Sequence, residues 1–132
     1  MNVNKDVLQT IFDSQKSFQA IFGTNFETLE DKDRSEYINE HASFLVEETY
    51  EMLREMKYRK SWKDYSSWTP EKDDEQLIKM KEEWIDMFHF IVNIGLALDF
   101  DANEVLKMYI DKNKLNYERQ ENASLGYVLE TR

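Results

Sequence analysis

Glu48 and Glu51 stand three residues apart in FLVEETYEML (44–53), and Glu83 and Asp86 repeat that spacing in EEWIDMFHF (82–90). Residues three apart on a helix project from one side, so each stretch offers two carboxylates to a common point. Two such helices packed antiparallel bring the pairs together. Converged carboxylates repel one another. Bound divalent cations compensate that repulsion, and phosphate oxygens can complete the coordination shell. The competing reading is a solvated face, the usual fate of an E-x-x-E pair in an acidic helical protein. The flanks speak for burial: Phe44 and Leu45 precede Glu48, Met52 follows it, and Trp84, Phe88 and Phe90 accompany the second pair. Glu55, four beyond Glu51, extends the first line of carboxylates.

Other side chains carry two readings each. His89, three beyond Asp86, either points into the same pocket or is a half-buried histidine satisfied by a hydrogen bond. Gln15 interrupts an apolar stripe and either reads a base edge or satisfies a backbone group. Trp62 either stacks on a base or covers the end of the bundle. The YRK of 58–60 either contacts phosphate or solvates its loop. The sequence has no Gly-rich phosphate loop, so phosphate has to be held by metal and by separate Lys or Arg groups.

The totals narrow the function. The chain has 132 residues, 17 Lys and Arg against 27 Asp and Glu, and a formal net charge of -10. That length suits one domain over 1–132, completed by pairing. The charge argues against nucleic acid, whose binders present basic surfaces, and against an anionic membrane. A phosphorylated small ligand remains compatible, because a metal reverses the local field. With no cysteine, disulfides and thiolate catalysis are excluded. Two histidines make zinc a poor candidate and leave a carboxylate site for magnesium or manganese. MNVNKDVLQT has no apolar signal core, and FHFIVNIGLALDF is about half the length of a membrane span. The expected location is the cytoplasm.

These residues need elements to position them, and the pattern is helical throughout. Three Gly and one Pro leave few breakers. A first helix is predicted over roughly 4–22, with Leu8, Ile11, Phe18 and Phe22 as its stripe and Gly23 as its stop. A second is predicted over about 34–57, started by Asp33 and Glu36 at capping-box spacing. An ordered loop with a short helical turn is expected over 58–69. The third helix starts at Thr69 and Pro70 and runs to Leu98. Asp101 with Glu104 starts a fourth, reaching about Gln120. No segment alternates strictly, so the fold class is all-α, a four-helix-bundle-like subunit.

Taken together, these segments resemble the all-α nucleoside triphosphate pyrophosphatase superfamily, and most closely its dimeric dUTPase branch. ExxE at 48–51 and ExxD at 83–86 carry the superfamily likeness. IFDSQKSF at 11–18, RKSW at 59–62, EEWIDMFHFIVNIGLAL at 82–98, YIDKNKLNYERQ at 109–120 and GY at 126–127 add to it. The resemblance implies a homodimer that cleaves dUTP between its α and β phosphates, giving dUMP and pyrophosphate, with Mg²⁺ as cofactor and Mn²⁺ as a substitute. It implies Glu48, Glu51, Glu83 and Asp86 as metal ligands, with Glu48 also orienting or deprotonating the attacking water. It places Gln15 and Trp62 near the nucleoside. Lys112, Asn116, Arg119 and Tyr127 fall in the region that closes over base, sugar and phosphates.

Two departures touch nucleotide recognition. Gln19 stands where the family places Asp or Asn, and ENASL at 121–125 lengthens the segment between RQ and GY. They keep open a related house-cleaning pyrophosphatase acting on dCTP or on several nucleotides. A non-catalytic helical dimer or regulator retaining the fold is the alternative from another class. Its mark would be a lost carboxylate, and all four are present.

Overall fold

Short polar side chains start the helices where free amides need acceptors. Asp6 accepts from the Gln9 amide at 3.1 Å, and Asp101 accepts from the Glu104 amide at 2.8 Å. The computed structural model describes residues 6–56 and 74–122. It contains α1 (Val7–Ala20), α2 (Asp31–Arg54), α3 (Asp74–Ala97) and α4 (Ala102–Glu121), with no strand among the described residues. The all-α expectation holds, and Asp101 caps α4 as its spacing predicts.

The start of α2 differs from the capping-box expectation. The helix begins at Asp31, after an extended Glu30 that makes no side-chain cap. Asp33 lies inside the first turn instead of preceding it. Its charge and that of Asp31 favour the exposed amides at the positive end of the helix dipole. The Thr69–Pro70 start and the loop at 58–69 lie outside the described residues.

Two helices end in the same hydrogen-bonding pattern. After α1, Thr24 and Gly23 donate to the Gln19 and Ala20 carbonyls, at 3.3 and 3.0 Å. After α3, Phe100 and Asp99 donate to the Gly95 and Leu96 carbonyls, at 3.0 and 3.1 Å. Both are Schellman motifs, which require a left-handed residue. Gly23 takes it without strain at φ 83°, and Asp99 takes it at φ 60°. Asp99 is held there by Arg34, whose guanidinium lies 3.3 Å from its carboxylate. Arg34 also donates to the carbonyls of Ala97 and Leu29, which ties the end of α3 to the beginning of α2.

The core forms where α1 packs against α3, with Tyr37 and Ile38 of α2 closing on the same cluster. Phe12, Phe26, Val92, Leu96 and Ala97 are buried, with Leu8, Ile38, Phe88 and Val105 packed around them. α4 packs back on α1 and contributes the buried Ala102.

Helices α2 and α3 run antiparallel, and their polar contacts define the register. Arg34 meets Ala97 and Asp99, His41 meets Asn93, and Glu55 accepts from Gln76 at 2.7 Å. Between the last two layers lies the acidic cluster. Glu55 is therefore committed to Gln76 and does not extend that cluster.

Candidate metal and nucleotide site

The α2–α3 register sets Glu48 opposite Glu83 and Asp86. One carboxylate oxygen from each lies within 4.8 Å of the others, and all three residues are half-buried. Among the described residues, Glu48 Oε2 and Glu83 Oε2 are sealed from solvent with no hydrogen-bond donor. Two ionised carboxylates cannot satisfy each other, because both only accept. A shared proton or a cation is needed.

The electrostatics agree. Burial pushes the Glu48 carboxyl up to about 7, helped by the adjacent Glu83 carboxyl and by the charges of Glu51 and Asp86. Burial also raises Glu83, against the opposing pull of its contact with Glu48 and with the help of Glu51 and Asp86. Glu51 is exposed on the outer side, near enough for its charge to act on both. Three convergent oxygen donors with two of their oxygens unpartnered fit a hard divalent cation, Mg²⁺ or Mn²⁺.

The cluster opens into a cleft of about 240 Å³. Helix α1 lines it with Gln15, Phe18 and Gln19, α2 with Glu48, and α3 with Asp86, His89, Phe90 and Asn93. Behind it runs a buried polar network. Gln15 Nε2 donates to Asn93 Oδ1 at 2.8 Å, and Asn93 Nδ2 lies 3.2 Å from His41 Nδ1. Asn93 Nδ2 can only donate, so His41 Nδ1 accepts from it, and burial lowers the His41 pKa, which favours the neutral ring this contact requires. The Tyr37 hydroxyl donates to Gln19 Oε1 at 2.9 Å, and the Tyr37 ring stacks on His41 at 3.9 Å.

The residues singled out from sequence therefore fall into three groups. Gln15, Glu48, Asp86 and His89 line one cleft, with Glu83 completing the cluster and Glu51 beside it. Lys112, Asn116 and Arg119 sit on α4 and do not line that cleft. Trp62 and Tyr127, with the YRK of 58–60, lie outside the described residues. Sequence reasoning passed over Asn93 and His41. A signal existed for each: Asn93 interrupts the apolar run FIVNIGLAL, and His41 precedes Glu48 by two helical turns. Gln19 registered only as a departure, although it follows Gln15 by four and shares its face.

Comparison with known proteins bears on this arrangement. A dCTP pyrophosphatase of Enterobacteria phage LZ5 is 28% identical over 144 residues, spanning 91% of this chain and 84% of that protein. A dCTP pyrophosphatase of Enterobacteria phage T4 is 42% identical over 53 residues, 40% of this chain and only 31% of its own length. No solved structure matches the chain. A family model described as dUTPase matches residues 7–104. That segment holds Gln15, both carboxylate pairs, His89 and Asn93, and it ends before Lys112. With most of its length matched by that model, the chain belongs to the dUTPase family.

Proposed function

We propose that this chain is a nucleoside triphosphate pyrophosphatase that hydrolyses dUTP to dUMP and pyrophosphate, with Mg²⁺ as cofactor. The observation that carries the reading is the pair of sealed, donorless oxygens on Glu48 and Glu83, set beside Asp86 at the mouth of a cleft lined with amides. Glu48, Glu83 and Asp86, with Glu51 beside them, would hold the cation. A bound Mg²⁺ supplies charge neutralisation for the phosphates and lowers the pKa of water.

The remaining work belongs to side chains. Glu48 would orient a water for in-line attack on the α phosphorus and take its proton. The bond from the α phosphorus to the bridging oxygen breaks, and that oxygen leaves with pyrophosphate. Gln15 and His89 would hold the nucleoside, between the aromatic walls Phe18 and Phe90. On the family likeness alone, Trp62 is assigned to the nucleoside, and Lys112, Asn116, Arg119 and Tyr127 to the region that closes over base, sugar and phosphates, with Arg119 supplying charge to phosphate.

A second reading, dCTP as the preferred substrate, is favoured by the two phage relatives that bear that name. The first reading is favoured by the family that matches most of the chain. Incubation with each deoxynucleoside triphosphate and Mg²⁺, followed by pyrophosphate measurement, separates them. Release from dUTP above all others supports the first, and release from dCTP supports the second. No release from any refutes both.

The working form in this reading is a homodimer. Trp84 and Ile91 on α3 and Leu98 just past its end recur every seven residues, and each is about half exposed. Ile78 and Ile85 widen that stripe. An apolar stripe of this period on a helix is the seam that a partner helix covers.

A further inference from the structure

We infer that Asn93, anchored by His41, sets the base preference of the cleft by locking the Gln15 amide with its oxygen toward the ligand. The inference rests on the cleft being the nucleotide site. Asn93 is 1% exposed and both ends of its amide are engaged. Asn93 turns its amino group to His41 Nδ1, which accepts it, and its oxygen to Gln15. Gln15 must then present Nε2 to Asn93. Among the described residues Gln15 Oε1 has no partner, and it is not sealed from solvent, which leaves it available to the cleft that Gln15 lines.

The orientation of one amide matters because pyrimidines differ in polarity at the edge being read. Uracil offers a donor at N3 between two carbonyl oxygens. Cytosine offers a donor at its 4-amino group and an acceptor at N3. An oxygen fixed forward accepts from one of these bases at a given position and faces a lone pair of the other. An amide free to rotate by half a turn turns its NH₂ forward and accommodates both. Discrimination therefore depends on the lock as much as on Gln15, whichever base the site favours. Gln19 is held in the same way at its oxygen by the Tyr37 hydroxyl, and Tyr37 stacks on the same His41 ring.

Asn93 is a positioning residue in this scheme, and its effect must pass through Gln15. Titration calorimetry with the non-hydrolysable α,β-imido analogues of dUTP and dCTP, in the presence of Mg²⁺, gives the ratio of the two Kd values. The parent, Asn93→Leu, His41→Phe, Gln15→Met and the Gln15→Met/Asn93→Leu double variant are compared, with circular dichroism melts to establish folding. Freeing the amide should shrink the parental ratio by about tenfold or more, the scale of one unmatched buried polar group. His41→Phe keeps the aromatic ring against Tyr37 and should move the ratio the same way by less, which keeps the test decisive if Asn93→Leu does not fold. In the Gln15→Met background, Asn93→Leu should add no further change.

A parent without preference, or a ratio left within twofold of the parent by the folded variants, overturns the assignment. So does an Asn93→Leu effect that persists without Gln15. Pyrophosphate release by the parent is measured separately. Its absence refutes the enzymatic reading, whereas discriminating binding that Asn93 and His41 do not influence refutes the lock alone.

Discussion

Glu48→Gln is expected to stabilise the metal-free protein at pH 8 and to leave it nearly unchanged at pH 5. In the folded chain the Glu48 carboxyl titrates at about 7, against an ordinary value of 4.5. Between those values the folded state holds a proton that the unfolded state has lost. Stability therefore falls as pH rises through that window, by linkage. At about 1.36 kcal/mol per decade the full span amounts to roughly 3 kcal/mol. Glu48 is only partly buried, so solvent screening reduces the expected figure to about 1–2 kcal/mol. Gln keeps the size of the side chain, carries no charge and can donate to Glu83, which removes the penalty. For a domain of this length that is a rise in Tm of roughly 3–8 °C at pH 8. The assay is thermal unfolding in a chelator at pH 5, 6, 7 and 8. With saturating Mg²⁺ at pH 8 the order should reverse, because the variant binds the cation less well. A variant less stable than the parent at pH 8 without metal would refute the sealed carboxylate pair, as would a difference that does not change with pH.

Saturating Mg²⁺ should raise the parent's Tm, by mass action worth about 2.7 kcal/mol at a hundredfold excess over Kd, and an unchanged melting curve counts against the cluster as a cation site. Glu48→Gln should lower turnover roughly 10²–10⁴-fold, the worth of general-base help, while titration with a non-hydrolysable dUTP analogue still shows binding. Asp101→Ala should cost about 1 kcal/mol by uncapping α4, read as a lower urea midpoint, and an unchanged midpoint would show that the cap contributes nothing to stability. Sedimentation at micromolar concentration should give twice the mass of the chain, and a single-chain mass throughout would remove the dimer.

Much of the fold was legible because the signals were local. Asp101 with Glu104, and Gly23 after an apolar stripe, each specify a helix end from a few neighbouring residues. The start of α2 was misplaced because DKDRSE offers several acidic residues in succession, and capping spacing alone does not choose among them. The convergence of Glu48, Glu83 and Asp86 was legible because two equal spacings need only an antiparallel pair to meet. Asn93 and His41 were not, since their contact depends on the numerical register of α2 against α3. Periodicity marks the face of a helix and not its offset along a partner. The seat of α4 is of the same kind: its pattern specifies a helix, and contacts distant in sequence decide where it lies.

Arg34, His41 and Glu48 of α2 and its C-cap residue Glu55 recur every seven residues, and each meets a polar group of α3. In the language of coiled coils they occupy one seam position repeated over four layers, where polar residues select register at some cost in stability. A slide of one turn would set each against the wrong partner, and every buried polar group left unmatched would cost about 1–3 kcal/mol. The two helices thus form a graduated rule, with guanidinium, imidazole–amide, carboxylate and carboxylate–amide as successive marks. The acidic layer is one mark on that rule. Its oxygen spacing is then set also by Arg34 at one end and Gln76 at the other, and loosening either mark shifts the offset between Glu48 and Glu83 without touching them.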